Sequence, residues 1–130
     1  MRTEEFTVNT RDRYDVVDIT DRIEELVGDV EQGLCVVTLP HATAGLIVNE
    51  YEPNIAKDYI ALFRNILPKL DYAHNRIDDN AEAHLLSSMF GSSKVFLVKN
   101  GRLVLGTWQR VILCEFDGPR TRRVVVGVKE

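Results

Sequence analysis

The chain has no long apolar run, no CxxC pair, no glycine-rich GxxxxGK[ST] loop and no extended basic stretch. Each absence removes a class. Without an apolar span of about 20 residues there is no membrane helix. With no charged-then-apolar leader either, the expected setting is cytoplasmic. Two isolated cysteines, Cys35 and Cys114, lie inside apolar strand-like runs, so they read as buried thiols rather than a zinc knuckle or redox pair. The missing loop excludes a P-loop nucleotide site. Arginines cluster only at Arg120, Arg122 and Arg123 and the net charge is −4, which is not the footprint of a nucleic-acid binder. Repeats, low-complexity tracts and linkers are absent too, leaving a single domain over residues 1–130.

What is present is a soluble, globular composition, 45% apolar and 28% charged, on a chain long enough to bury a core. Alternation over Thr3–Val8 and Tyr14–Ile19 predicts an opening hairpin. Thr20 is expected to cap a short helix containing Ile23, Leu26 and Val27. Leu34–Leu39 reads as a central strand, followed by a turn and a strand across 41–50. Pro53-Asn54 starts the longest helix, with Ile55, Tyr59, Leu62, Phe63 and Ile66 on one face. A polar loop carries His74, and Asn80 is expected to cap a second long helix, Ala81–Phe90. Three strands complete the chain: Lys94–Lys99, Arg102–Glu115 with an interruption near Gly106, and Arg122–Val128. Asn100-Gly101 is the strongest hairpin signal. The order ββαββααβββ, with about three helices and mainly antiparallel strands, is that of an α+β domain.

The stretch from His41 to Glu50 places a histidine and an acid around small residues between two strands. All three histidines, His41, His74 and His84, fall at or near element boundaries. Brought together they form a metal set with an open position; apart, each is a solvated loop or cap residue. Glu50, Asp58 and Glu115 are acids beside apolar runs, and Glu115 points into the core or out of it depending on one register step. Ser87 and Ser88 fit phosphate binding or helix capping about equally. Trp108 after Gly106-Thr107 is either packing or a stacking platform. Arg120 with Arg122 suits an anion or a solvated strand.

Taken together, His41-x-Thr-Ala-Gly45, Asn49-Glu50, Asp58, Tyr72-x-His74, Asn80-Ala-x-Ala-His84, Ser87-Ser88-x-x-Gly91, Gly101-Arg-Leu-x-Leu-Gly-Thr-Trp-Gln109, Glu115 and Asp117-Gly-Pro-Arg120 resemble the YjbQ-like family of secondary thiamine-phosphate synthases. The resemblance implies a small two-sheet, β-sandwich-like α+β fold assembling as a homotrimer. It also implies a transferase that joins hydroxymethylpyrimidine diphosphate to thiazole phosphate and releases pyrophosphate. In that reading Glu50, His74 and His84 are the catalytic groups. Ser87, Ser88, Trp108, Gln109, Glu115 and Arg120 bind a small anionic metabolite. His41, His74 and His84 are the ligands of a divalent metal, zinc or magnesium. The alternatives are a metal-assisted hydrolase or lyase and a non-catalytic trimeric anion-binding protein. Two positions depart from the family pattern: Asn75 stands where an aspartate often follows the histidine, and Ala42 where a threonine is common. At 130 residues the chain is too short for a (β/α)8 barrel.

Overall fold

A computed structural model describes all 130 residues. Eight strands form two antiparallel sheets: β1 Arg2–Asn9, β2 Asp15–Asp18, β3 Gln32–Thr38, β4 Ala44–Asn49, β5 Ser93–Lys99, β6 Arg102–Leu103, β7 Arg110–Glu115 and β8 Thr121–Lys129. The larger sheet has the order β1-β8-β3-β5-β6, the smaller β2-β7-β4. Three helices, α1 Thr20–Val27, α2 Pro53–Asn65 and α3 Ala81–Phe90, complete the expected α+β architecture, with a 3-10 turn at Ala73–Arg76. No helix is long and apolar enough to cross a membrane.

Strand alternation explains the layers. On β7, Val111 and Leu113 enter a core shared with the larger sheet and α1, while Ile112 and Cys114, with Phe116 just beyond the strand, enter a second core under the helices. There Phe63 of α2 meets Phe116 edge-on, with ring centres 5.0 Å apart. Both thiols are free and buried, and burial pushes Cys35 up to about 11. The outer face of the larger sheet has no covering layer. Leu34 and Leu97 pair there, and Leu34, Val95 and Leu97 are all exposed.

Three sequence expectations need correction. β1 and β2 are not a hairpin: β1 pairs with β8 and β2 with β7, in different sheets. The turn chemistry at Thr10–Arg13 marks a crossing between sheets, which alternation cannot distinguish from a hairpin. The connections from β3 to β4 and from β7 to β8 cross in the same way. Thr20 does not cap α1. Its hydroxyl instead accepts from the Val111 N–H at 2.7 Å, tying α1 to β7. Asn80 occupies the cap position of α3 without a side-chain capping bond, because its amide is engaged elsewhere. The expected interruption near Gly106 is present, dividing the run 102–115 into β6 and β7. Asn100-Gly101 does form a hairpin, with φ of 53° and 74°, as a type I′ turn requires.

The three crossings meet at one buried ion pair. Glu115, the last residue of β7, and Arg122, on β8, both project between the sheets. Arg122 Nε donates to Glu115 Oε1 at 2.8 Å and Nη2 donates to Oε2. Nη2 also donates to the carbonyl and hydroxyl oxygens of Thr43, in the β3–β4 crossing, at 3.0 and 2.8 Å. From the β1–β2 crossing, the Thr10 hydroxyl donates to Glu115 Oε1 at 2.7 Å. Gly118 is required beside it, since a Cβ there would lie 2.2 Å from the Asp12 carbonyl oxygen.

Removing one member leaves the other charge buried and unpaired. Glu115→Gln is therefore expected to lower unfolding free energy by about 3–5 kcal/mol in urea titrations. The double variant Glu115→Met/Arg122→Met should recover most of that loss. Equal destabilisation by both variants would contradict the assignment.

Candidate functional site

The site begins where β7 ends. The Asp117 N–H donates to Glu115 Oε2 at 3.0 Å, so the buried pair fixes the backbone that carries the Asp117 carboxylate. Asn80 Nδ2 donates to Asp117 Oδ2 at 3.0 Å. Arg120 Nη2 donates to the same oxygen at 3.1 Å, and Arg13 Nη1 lies 3.8 Å from Oδ1. Burial alone pushes the Asp117 carboxyl up. The hydrogen bonds from Asn80 and Arg120 and the charges of Arg120 and Arg13 outweigh it, so the group sits below its ordinary range.

Asn80 is buried, and its Oδ1 lies 2.7 Å from His74 Nε2. Across from it, the His74 and His84 rings meet edge to face with centres 4.8 Å apart. His84 comes from α3, four residues beyond Asn80, and His74 from the 3-10 turn before it. Neither ring nitrogen of His84 bonds to protein, and Nδ1 of His74 is equally uncommitted. A recess of about 50 Å³ beside Asn80 is lined by Arg13, Tyr14, Asn75, Asp79 and Ala81. Asn75 makes no hydrogen bond to the His74 ring. Its Oδ1 accepts the Ala81 N–H at 2.9 Å, supplying the helix start that Asn80 does not. Aspartate would offer the same acceptor to Ala81.

The remaining expected residues have other positions. His41 Nε2 accepts the backbone N–H of Arg123 at 2.8 Å, where β3 has left the larger sheet and offers no carbonyl. Ala42 is exposed. Glu50 follows β4, whose first residue pairs with Glu115 and whose last pairs with Arg110. At about 3.4 Å per residue the five steps between them span roughly 17 Å, so Glu50 belongs to the far end of that strand from the histidines. Ser87 donates to the Ala44 carbonyl at 2.7 Å, locking α3 to β4, and Ser88 donates back to the His84 carbonyl. Trp108 is exposed, and Gln109 Oε1 closes a local turn by accepting from the Gly106 N–H. Asp58 is an exposed residue of α2. No three His, Cys, Asp or Glu side chains are grouped closely enough to hold a metal ion.

Sequence reasoning did not single out Asn80, Asp117 or Arg13 as site residues. The first two stand inside the matched motifs, and a buried amide between a histidine and a carboxylate is the signal they carry. Arg13 sits in what read as an ordinary turn.

Burial, followed by the Arg122 and Arg123 charges, pushes the His41 imidazole below its ordinary value, against an opposing pull from Glu115. A histidine depressed in the folded state contributes stability that is complete above its unfolded value, about 6.5, and is lost as pH falls through the folded one. Thermal midpoints are expected to fall on acidification from about pH 7.5 to 5. In His41→Gln the part of that slope due to His41 should vanish. An unchanged slope would contradict the assignment.

The chain is similar to known proteins along almost its whole length. A "UPF0047 protein" of Archaeoglobus fulgidus is 44% identical over 123 residues, covering 94% of this chain and 97% of the relative. The crystal structure of a hypothetical protein from Aeropyrum pernix K1 superposes with a TM-score of 0.94 at 43% identity, over 99% of this chain and 98% of that one. A YjbQ-like protein of unknown function from Sulfolobus solfataricus P2 superposes with a TM-score of 0.92 at 37% identity, over 98% and 95%. The family model described as "UPF0047 protein YjbQ-like" matches residues 4–130, and the chain belongs to that family.

Proposed function

We propose that the chain is a transferase of the secondary thiamine-phosphate synthase type, acting at the His74–His84 pair. The observation that carries this reading is two adjacent imidazoles with uncommitted ring nitrogens, joined through Asn80 to an Asp117 carboxylate that Arg120 and Arg13 flank. In the reaction the thiazole nitrogen bonds to the exocyclic methylene carbon of hydroxymethylpyrimidine diphosphate. The carbon–oxygen bond to the diphosphate breaks, and pyrophosphate leaves with the electron pair. Such chemistry needs cations near the departing oxygens and a group that moves a proton on the aminopyrimidine. Arg120 and Arg13 supply the first, His74 and His84 the second. Glu50 has no part in this reading within one subunit, and no step is routed through a metal.

The proposal includes a homotrimer, which the family resemblance implies and the uncovered outer face of the larger sheet supports. A monomer would leave Val95 and Leu97 in water, 64% and 61% exposed. The setting proposed is the cytoplasm, consistent with two free cysteines.

Purified protein supplied with both substrates should form thiamine phosphate with equimolar pyrophosphate. His74→Ala and His84→Ala should each lower turnover about 10²–10⁴-fold. No turnover by the parent, or full turnover by both variants, would refute the reading. Sedimentation of the parent should give a trimer, and Val95→Lys/Leu97→Lys should shift it towards monomer. A monomeric parent would refute the assembly.

A further inference from the structure

Asn80 is an unusual residue to find buried between an imidazole and a carboxylate, and the polarity of its amide can be worked out. Asp117 is ionised and has only acceptor oxygens, and Oδ2 receives Arg120 as well as Asn80. The atom of Asn80 that faces Asp117 must therefore be the NH₂ group, since a carbonyl oxygen there would set two acceptors against each other. Turning the amide over is excluded by the same logic. Its oxygen is then committed to His74, and an oxygen accepts. The proton in the 2.7 Å contact must sit on His74 Nε2.

We infer that Asn80 is a positioning residue: anchored by Asp117, it holds His74 as the Nε2–H tautomer, so that Nδ1 is the lone pair that takes up protons. The amide does this without placing a full negative charge against the ring. A carboxylate in direct contact would favour the imidazolium, whereas an amide fixes orientation and tautomer with a much smaller bias towards the charged form. The anchoring continues inward, because the Asp117 backbone is held by Glu115 and through it by Arg122. His41 has the opposite polarity. It accepts from a backbone N–H at Nε2, so its proton is on Nδ1. Two of the three histidines thus carry opposite tautomers, each dictated by a partner of fixed polarity.

The role given to Nδ1 rests on the proton-transfer reading above; the tautomer does not. The test is long-range ¹H–¹⁵N correlation on ¹⁵N-histidine-labelled full-length protein at a pH where the rings are neutral. His74 should show a bare Nδ1 and a resolved Nε2–H protected from water exchange, while His41 shows a bare Nε2. Because a free imidazole in water also favours Nε2–H, the protected proton is the deciding signal. Asn80→Ala should abolish it. Asp117→Asn, which frees the amide to turn over, should weaken it and introduce the Nδ1–H form. An Nδ1–H tautomer in the parent, or a protected Nε2–H that survives Asn80→Ala, overturns the inference. The parent spectrum decides the matter even if a variant fails to fold. A protected Nε2–H in a protein that makes no thiamine phosphate would sink the proposed reaction and leave the relay standing.

Discussion

Glu115 and Arg122 come from strands in different sheets, and both side chains are out of water. Charges so placed must find each other and fill their remaining hydrogen-bonding capacity, or the fold bears several kcal/mol for each unpaired ion. Here the capacity is filled by Thr10 and Thr43, one from each of the other two crossings. Against an apolar pair of similar volume the arrangement adds little net stability. Its contribution is geometric: it decides where three connections pass between the sheets. A one-residue slip of β7 or β8 would turn one charge away from the other and bring apolar residues to the wrong face.

The candidate site is an extension of that junction. Two residues after Glu115 the chain presents Asp117, already fixed in position, and two histidines are assembled around it through Asn80. Everything rigid in the site is traceable to the junction or to α3, which Ser87 locks against β4. The groups left free are the ring nitrogens of His84, Nδ1 of His74 and Nη1 of Arg120, whose Nε and Nη2 are held by Asp117, while Arg13 Nη2 donates to the Asp79 carbonyl at 2.9 Å. A scaffold that commits its hydroxyls and amides to structure, and leaves imidazoles uncommitted, suits proton transfer beside an anion.

Much of this was legible in the residues and much was not. Element positions followed from alternation and helical spacing, and Asn100-Gly101 declared its turn because both central positions need positive φ. Which strands pair is a different question. Thr10–Arg13 and Asp117-Gly118-Pro119 look like hairpin turns, yet each carries the chain to the other sheet, and local chemistry holds no record of that. Glu115 showed the same ambiguity, because one register step separated core from solvent. Asn80 was read by its capping propensity, a local preference that the buried contact with Asp117 overrides. The sequence puts His41 in a metal-ligand set, but an orphaned N–H at the end of a sheet takes its acceptor nitrogen. His74 and His84, ten residues apart with no ligand spacing, became a pair only when the 3-10 turn folded back on α3.

The proposed site puts the anion at His74 and His84 and not at His41. The most direct measurement is a titration with inorganic pyrophosphate, followed by the imidazole ¹⁵N and ring-proton shifts of all three histidines. Pyrophosphate should give saturable shifts at His74 and His84, abolished in Arg120→Ala, with His41 unmoved. Shifts confined to His41, or none at concentrations that saturate binding by calorimetry, would contradict it.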